Sequence, residues 1–208
     1  VSARSAVAVL ALLAGPGLTA CSSPPPAPPR QPVVVETSVS TRYYPVRGTT
    51  TPAVFAAIDA NGPVETSGQR ALGLTSAEWK LNSGDVDVRA VPCVFPSLTV
   101  TLHLVVMLPR HETPDDLPAD LRDRWERFVA RVAAHEQRHV DIYLEGAKAM
   151  KAPLEATRTA VSCADVEKAI DAAWRAQQAD IERAQAECHA EDETRARSER
   201  GALQAQLD

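Results

Sequence analysis

One pentapeptide has the residue types and spacing of a metal site: His135-Glu136-Gln137-Arg138-His139 fits the pattern H-E-x-x-H. On a helix, residues four apart share one face a turn apart, so two imidazoles at this spacing can bind one Zn²⁺. The glutamate beside the first histidine then points next to the ion, where it can take a proton from a water that the ion activates. His135 and His139 are therefore the expected metal ligands and Glu136 the expected general base. At about 100° per residue, Trp125, Phe128, Val129, Val132 and Tyr143 fall on one stripe, with His135, Glu136 and His139 on or beside it, whereas Gln137 and Arg138 point away. Unpaired polar groups on a core-facing stripe are costly, and a metal would satisfy all three. The competing arrangement is two histidines bonded to backbone and Glu136 in a salt bridge.

A third protein ligand is required and does not stand out. The chain has five histidines. His103 sits on the less apolar face of a strand-like stretch and reads as exposed, and His111 lies in a Pro-rich connection and reads as solvated. His189 lies near Glu187, Glu191, Asp192 and Glu193 in helical sequence. Any of these acids can ligate, although a charged solvated face is their ordinary role.

The elements that must hold these residues follow from periodicity. Residues 33–46 are β-branched and aromatic-rich and read as one or two strands. Thr51-Pro52 opens a short helix that Asn61-Gly62 ends. Two shorter strand-like pieces surround Trp79-Lys80-Leu81 and Val86-Asp87-Val88. The clearest strand is the alternation of Leu98, Val100, Leu102, Leu104, Val106 and Leu108 with less apolar residues, ending at Pro109. After Pro118 the period becomes helical, broken near Pro153 and across residues 157–163, with a second long helix from Asp165. Strands first and helices later predict an α+β fold: a small antiparallel or mixed sheet, then two long helices, the first carrying H-E-x-x-H.

The N-terminus reads as an export signal. Arg4, an apolar stretch over residues 6–14 and small residues before Cys21 describe residues 1–20 as a secretory leader. Leu18-Thr19-Ala20-Cys21 resembles a bacterial lipobox, in which Cys21 is lipidated and becomes the new N-terminus. Residues 21–32 hold six of the chain's 16 prolines, so they cannot build a core and read as an extended tether. The folded domain is expected over residues 33–208, exported and lipid-anchored at the bacterial cell envelope. Of the remaining cysteines, an unbroken helix would hold Cys163 and Cys188 roughly 37 Å apart, far beyond the roughly 7 Å a disulfide allows. In an oxidising compartment the expected pair is Cys93 with Cys163, with Cys188 left over; the alternative is three reduced thiols.

Composition narrows the partners. The net charge of −5, without a dense Lys/Arg run, argues against nucleic acid. Aromatic residues at 4% leave no stacking platform for bases.

These features together resemble a known family. They are Tyr44-Pro45-Val46-Arg47-Gly48-Thr49, Asn61-Gly62-Pro63, Thr75-Ser76-Ala77-Glu78-Trp79, Cys93, the alternating strand ending Leu108-Pro109, Trp125 with Phe128, the H-E-x-x-H pentapeptide and Cys163. Their order and spacing are similar to the bacterial domain of unknown function 922, a family predicted to be secreted zinc-dependent proteases. The resemblance runs from about Tyr43 to Gln204 and implies a zincin-like fold, Zn²⁺ as cofactor and hydrolysis of a peptide or protein substrate in the cell envelope. It also implies a cysteine pair that Cys93 and Cys163 match. In zincins an edge strand aligns the substrate, for which the strand over residues 98–108 is a candidate. Family members often end with a stretch whose histidine is a natural third ligand; here Arg200 stands at that place, with Thr194 and Arg195 where Tyr and Asp are expected. Arginine stays protonated and cannot ligate zinc, so the third ligand is displaced to His189, Glu193 or Glu199, or the site is degenerate. The alternative function is an envelope lipoprotein that binds another protein through its C-terminal helices. Metal storage ranks last, because two histidines and one glutamate offer too few donors.

Overall fold

The computed structural model describes residues 31–65 and 68–207, with side chains in the last helix described as far as Asp192. The expected leader, Cys21 and all of the tether except Gln31 and Pro32 lie outside the described residues. Gln31 is already docked, its N–H donating to the Pro96 carbonyl at 3.1 Å and its carbonyl accepting from Arg158. Val33 is buried and belongs to the core.

The order is β1 (Val34–Val46), α1 (Thr51–Asn61), β2 (Leu74–Ser83), β3 (Cys93–Val94), β4 (Leu98–His111), a 3-10 turn (Pro114–Asp116), α2 (Ala119–Ala149), α3 (Lys151–Thr157), β5 (Thr159–Ala160) and α4 (Cys163–Leu207). The fold is α+β, with a small mixed sheet and long helices. The sheet runs β1-β4-β2, with β1 parallel and β2 antiparallel to β4. β4 is thus the central strand, which corrects its reading as an edge. Its alternation explains the place: Leu98, Val100, Leu102, Leu104 and Val106 are all buried, and they lie under the helices. Leu102, Leu104 and Val106 pack with Val140 and Ala147 of α2. Leu98 and Val100 meet Met150, Leu154, Val166, Ile170 and Ile181. Burying each such side chain stabilises by roughly 1.5–3 kcal/mol.

Three local expectations are corrected, and the expected helix break near Pro153 falls at Met150. Pro109 lies inside β4, opposite Tyr44. The β2 ladder ends at Leu74 opposite Met107, so beyond Met107 the strand has one neighbour, and a residue without an N–H is tolerated there. Val86-Asp87-Val88 forms no strand; the Asp87 carboxylate accepts from the Arg89 N–H at 3.0 Å, a turn that competes with pairing. Pro153 sits in the first turn of α3, where backbone N–H groups have no helical partner anyway. His111 is buried rather than solvated. Its Nδ1 accepts from the Thr113 N–H at 3.2 Å, its Nε2 donates to the Gly48 carbonyl at 2.9 Å, and its ring packs edge-on to Trp125.

The two long helices run antiparallel, since Gly146 of α2 meets Ile181 of α4, while His139 meets Gln185 and His135 meets Asp192. Gly146 allows the close crossing: a Cβ there would lie 2.4 Å from Ile181 Cγ1. The start of α4 is tied down by a disulfide between Cys93 and Cys163, with Cα atoms 5.1 Å apart across 70 residues. Short β3–β5 pairing of Cys93 with Ala160 flanks it. Cys188 is free and buried. Among the described residues, no helix is long and apolar enough to cross a membrane.

Candidate metal centre

Helix α2 is amphipathic over 31 residues, and its buried stripe carries the motif as the spacing predicts. Glu136 and His139 are buried and His135 is partly so. His189 projects from α4 and completes a cluster of three histidines, whose candidate ligand atoms all lie within 4.8 Å of one another. The His139 and His189 rings are 4.7 Å apart between centroids, and those of His135 and His139 are 4.6 Å apart. Of the three residues expected as third ligand, His189 is the one placed here; the side chains of Glu193 and Glu199, like that of Arg200, lie outside the described residues.

The hydrogen bonds fix the protonation of two of these rings. His135 Nδ1 meets a carboxylate oxygen of Asp192, an acceptor only, so Nδ1 carries the hydrogen. His139 Nδ1 meets Gln185 Oε1. The amide nitrogen of Gln185 donates to the His139 carbonyl at 3.3 Å, so the Gln185 oxygen is the acceptor and His139 Nδ1 the donor. With both rings neutral, both Nε2 atoms carry lone pairs, and they face each other at 3.0 Å. Two lone pairs at that separation repel unless a cation lies between them. Partners on the second ring nitrogen are also what metal-binding histidines commonly have. The residues fit a bound metal ion.

Electrostatics agree with a neutral imidazole at His139. Burial is the main cause that pulls the His139 pKa down, against the raising effect of its Gln185 bond and of Glu136, with His135 and His189 also lowering it. Burial pushes the Asp192 carboxyl up, but the bonds from His135 and Arg138 outweigh it and hold the group below its ordinary value. Arg138 does not point away, as its helical position suggests. It pairs with Asp192 and, at 2.6 Å, with Glu191, so it clamps α4 to α2 beside the cluster. The reason is that α4 covers this side of α2 as well. Asp192 is correspondingly a support for His135 and not a free surface acid.

Glu136 sits on the other flank. Thr75 Oγ1 of β2 donates to Glu136 Oε2 at 2.8 Å and lies 3.3 Å from the Glu136 carbonyl. Gly73 leaves room for the carboxylate, since a Cβ there would be 2.6 Å from Glu136 Oε1. Thr75, Gly73, Gln185 and Arg138 were not assigned site roles from sequence. Thr75, Gly73 and Gln185 have no spacing relation to the motif, and Arg138, though inside it, reads as pointing away; only the packing of β2 and α4 on α2 brings them in. His103, as expected, is exposed; its Nδ1 bonds Ser38 Oγ at 2.6 Å, and it takes no part in the cluster.

The fold and site define an α+β protein whose H-E-x-x-H helix meets a histidine of a second long helix to form a cluster able to hold a metal ion. The chain belongs to the bacterial family described as "Bacterial protein of unknown function (DUF922)", which it matches over residues 41–195. No curated protein and no solved structure matches it.

Proposed function

We propose that the chain is a zinc-dependent peptidase, exported and held at the bacterial cell envelope by a lipid on Cys21. The observation that carries the reading is the pair of Nε2 atoms of His135 and His139 facing each other at 3.0 Å, with His189 beside them. Three imidazoles are a donor set that suits zinc and leaves a fourth position open, as in catalytic sites. Zinc bound by these three residues would supply Lewis acidity and bring the pKa of a water towards about 7. Glu136 then takes the proton from that water and delivers it to the leaving amine. Its burial and its bond to Thr75 hold the carboxylate in place for both transfers. Thr75 belongs to β2, an edge of the sheet, so a peptide paired along the outer side of β2 would run past Glu136. β2 thus takes the aligning role first given to β4.

The test is the metal content of the purified 208-residue chain together with peptide hydrolysis by the parent and by Glu136→Gln. Stoichiometric zinc with hydrolysis lost in Glu136→Gln is the expected result. Protein without zinc at neutral pH would sink the reading. Zinc with no difference between parent and variant would leave a structural metal in a protein-binding module.

A further inference from the structure

Between α1 and α2 lies a cavity of about 360 Å³, within the size range of small-ligand sites. Its floor is aromatic: Trp125 and Phe128 from α2 and Phe55 from α1. Phe55 is 48% exposed, unusual for so large an apolar side chain. It stands edge-on to Phe128 at 6.2 Å, and Trp125 lies 5.6 Å from Phe128. The rim is cationic: Arg124, Arg127 and Arg131 line the cavity, and among the described residues no carboxylate does. Arg124 pairs with Asp120 at 2.7 Å, whereas Arg127 and Arg131 make no ion pair among the described residues. In a chain of net charge −5, Arg127 and Arg131 beside an aromatic floor are two cations left for an acidic ligand.

The placement on α2 connects this cavity to the metal centre. Phe128 and His135 are seven residues apart, so they lie within about 20° of each other around the helix and roughly 10 Å apart along it. Arg131 is one turn before His135. Roughly 10 Å is the length of three residues of extended peptide.

We infer that this cavity is a substrate subsite that takes a bulky apolar side chain next to an acidic one, about three residues from the bond to be cleaved. The inference rests on the peptidase reading for its substrate class and is tested apart from it by binding alone. Aromatic and aliphatic groups fill the floor, and the carboxylate reaches Arg127 and Arg131, which are free to pair bidentately. Specificity then comes from the arginines and affinity from the floor.

The probe is a fluorescein-labelled hexapeptide with one central Phe followed by two Glu, its binding followed by polarisation on the full chain. A matched peptide with two Lys in place of the two Glu is the control. All proteins carry Glu136→Gln, so that the probe is not cut. The acidic peptide should bind at least tenfold tighter than the basic one. Arg127→Glu with Arg131→Glu should remove that preference, Arg127→Lys with Arg131→Lys should keep most of it, and Phe128→Ala should weaken both peptides. Affinity should fall as salt rises from 50 to 300 mM. Equal binding of the two peptides, or an acidic preference that survives the double charge reversal, would overturn the subsite. So would phosphatidylglycerol vesicles that bind through the same two arginines and displace the peptide, since the site would then face a membrane. If the preference is present and lost on reversal while the parent lacks zinc and hydrolyses nothing, the subsite stands and the peptidase reading fails. If the parent hydrolyses peptides without regard to acidic residues or to the reversal, the peptidase reading stands and the subsite fails.

Discussion

Thr75 Oγ1 on β2 lies 2.8 Å from Glu136 Oε2 on α2, across 61 residues of chain. A buried carboxylate is thereby held by a hydroxyl on the edge strand of the sheet. Thr75→Val keeps the shape and removes the donor, leaving a buried acceptor unsatisfied at a cost of about 1–3 kcal/mol. Urea unfolding should show that loss, and Thr75→Ser should restore most of it. Equal stability of parent and Thr75→Val would mean that the bond contributes nothing.

The three histidines separate metal binding from turnover. His135→Ala, His139→Ala and His189→Ala should each abolish stoichiometric zinc, measured by mass spectrometry of the metal. Glu136→Gln should keep zinc, because in the proposed reaction the glutamate accepts a proton and does not ligate. Its rate on a peptide pool should fall by about 10² or more. Full zinc in His189→Ala would show that the third ligand is another residue.

Asp192 and Gln185 act through the rings that they hold. Replacing Asp192 by Ala leaves His135 Nδ1 without its acceptor, and zinc affinity should fall about 10- to 100-fold. Competition with a chromophoric chelator measures this directly. Gln185→Ala should act in the same direction through His139. Unchanged affinity in both variants would remove these residues from the site.

The Cys93–Cys163 bond closes a loop of 70 residues and holds the start of α4. Its loss in Cys163→Ser should destabilise the protein by roughly 2–4 kcal/mol. Cys188 should react with a thiol reagent only on unfolding, because it is buried and burial pushes its thiol up. Rapid labelling in native protein would contradict that packing.

Lipidation of Cys21 is checked by phase partitioning. The parent expressed in a bacterial envelope should enter the detergent phase, and Cys21→Ala should not. Equal partitioning would rule out the lipid anchor.

Much of the site was legible because it is local. The i, i+4 spacing of His135 and His139 needs nothing but a helix to bring the two rings together, and the stripe through Trp125, Phe128 and Val132 supplies that helix and its buried side. Alternation likewise marks Leu98 through Val106 as a strand with one buried face. Length alone separates Cys163 from Cys188 on one helix.

Tertiary packing decided the rest. His189 is 50 residues beyond His139, and no period relates them. It joins the cluster because α4 returns antiparallel along α2, with Gly146 admitting Ile181 at the crossing and the Cys93–Cys163 bond fixing where α4 begins. Arg138 reads as solvent-facing on an isolated helix, but α4 covers that side. β4 is central because β1 and β2, both earlier in the chain, pair with its two edges, which alternation within one strand cannot reveal. Helical and strand periods are properties of neighbouring residues, whereas the partners of Glu136 and His135 depend on where distant elements dock, and that is set by the summed burial of the core.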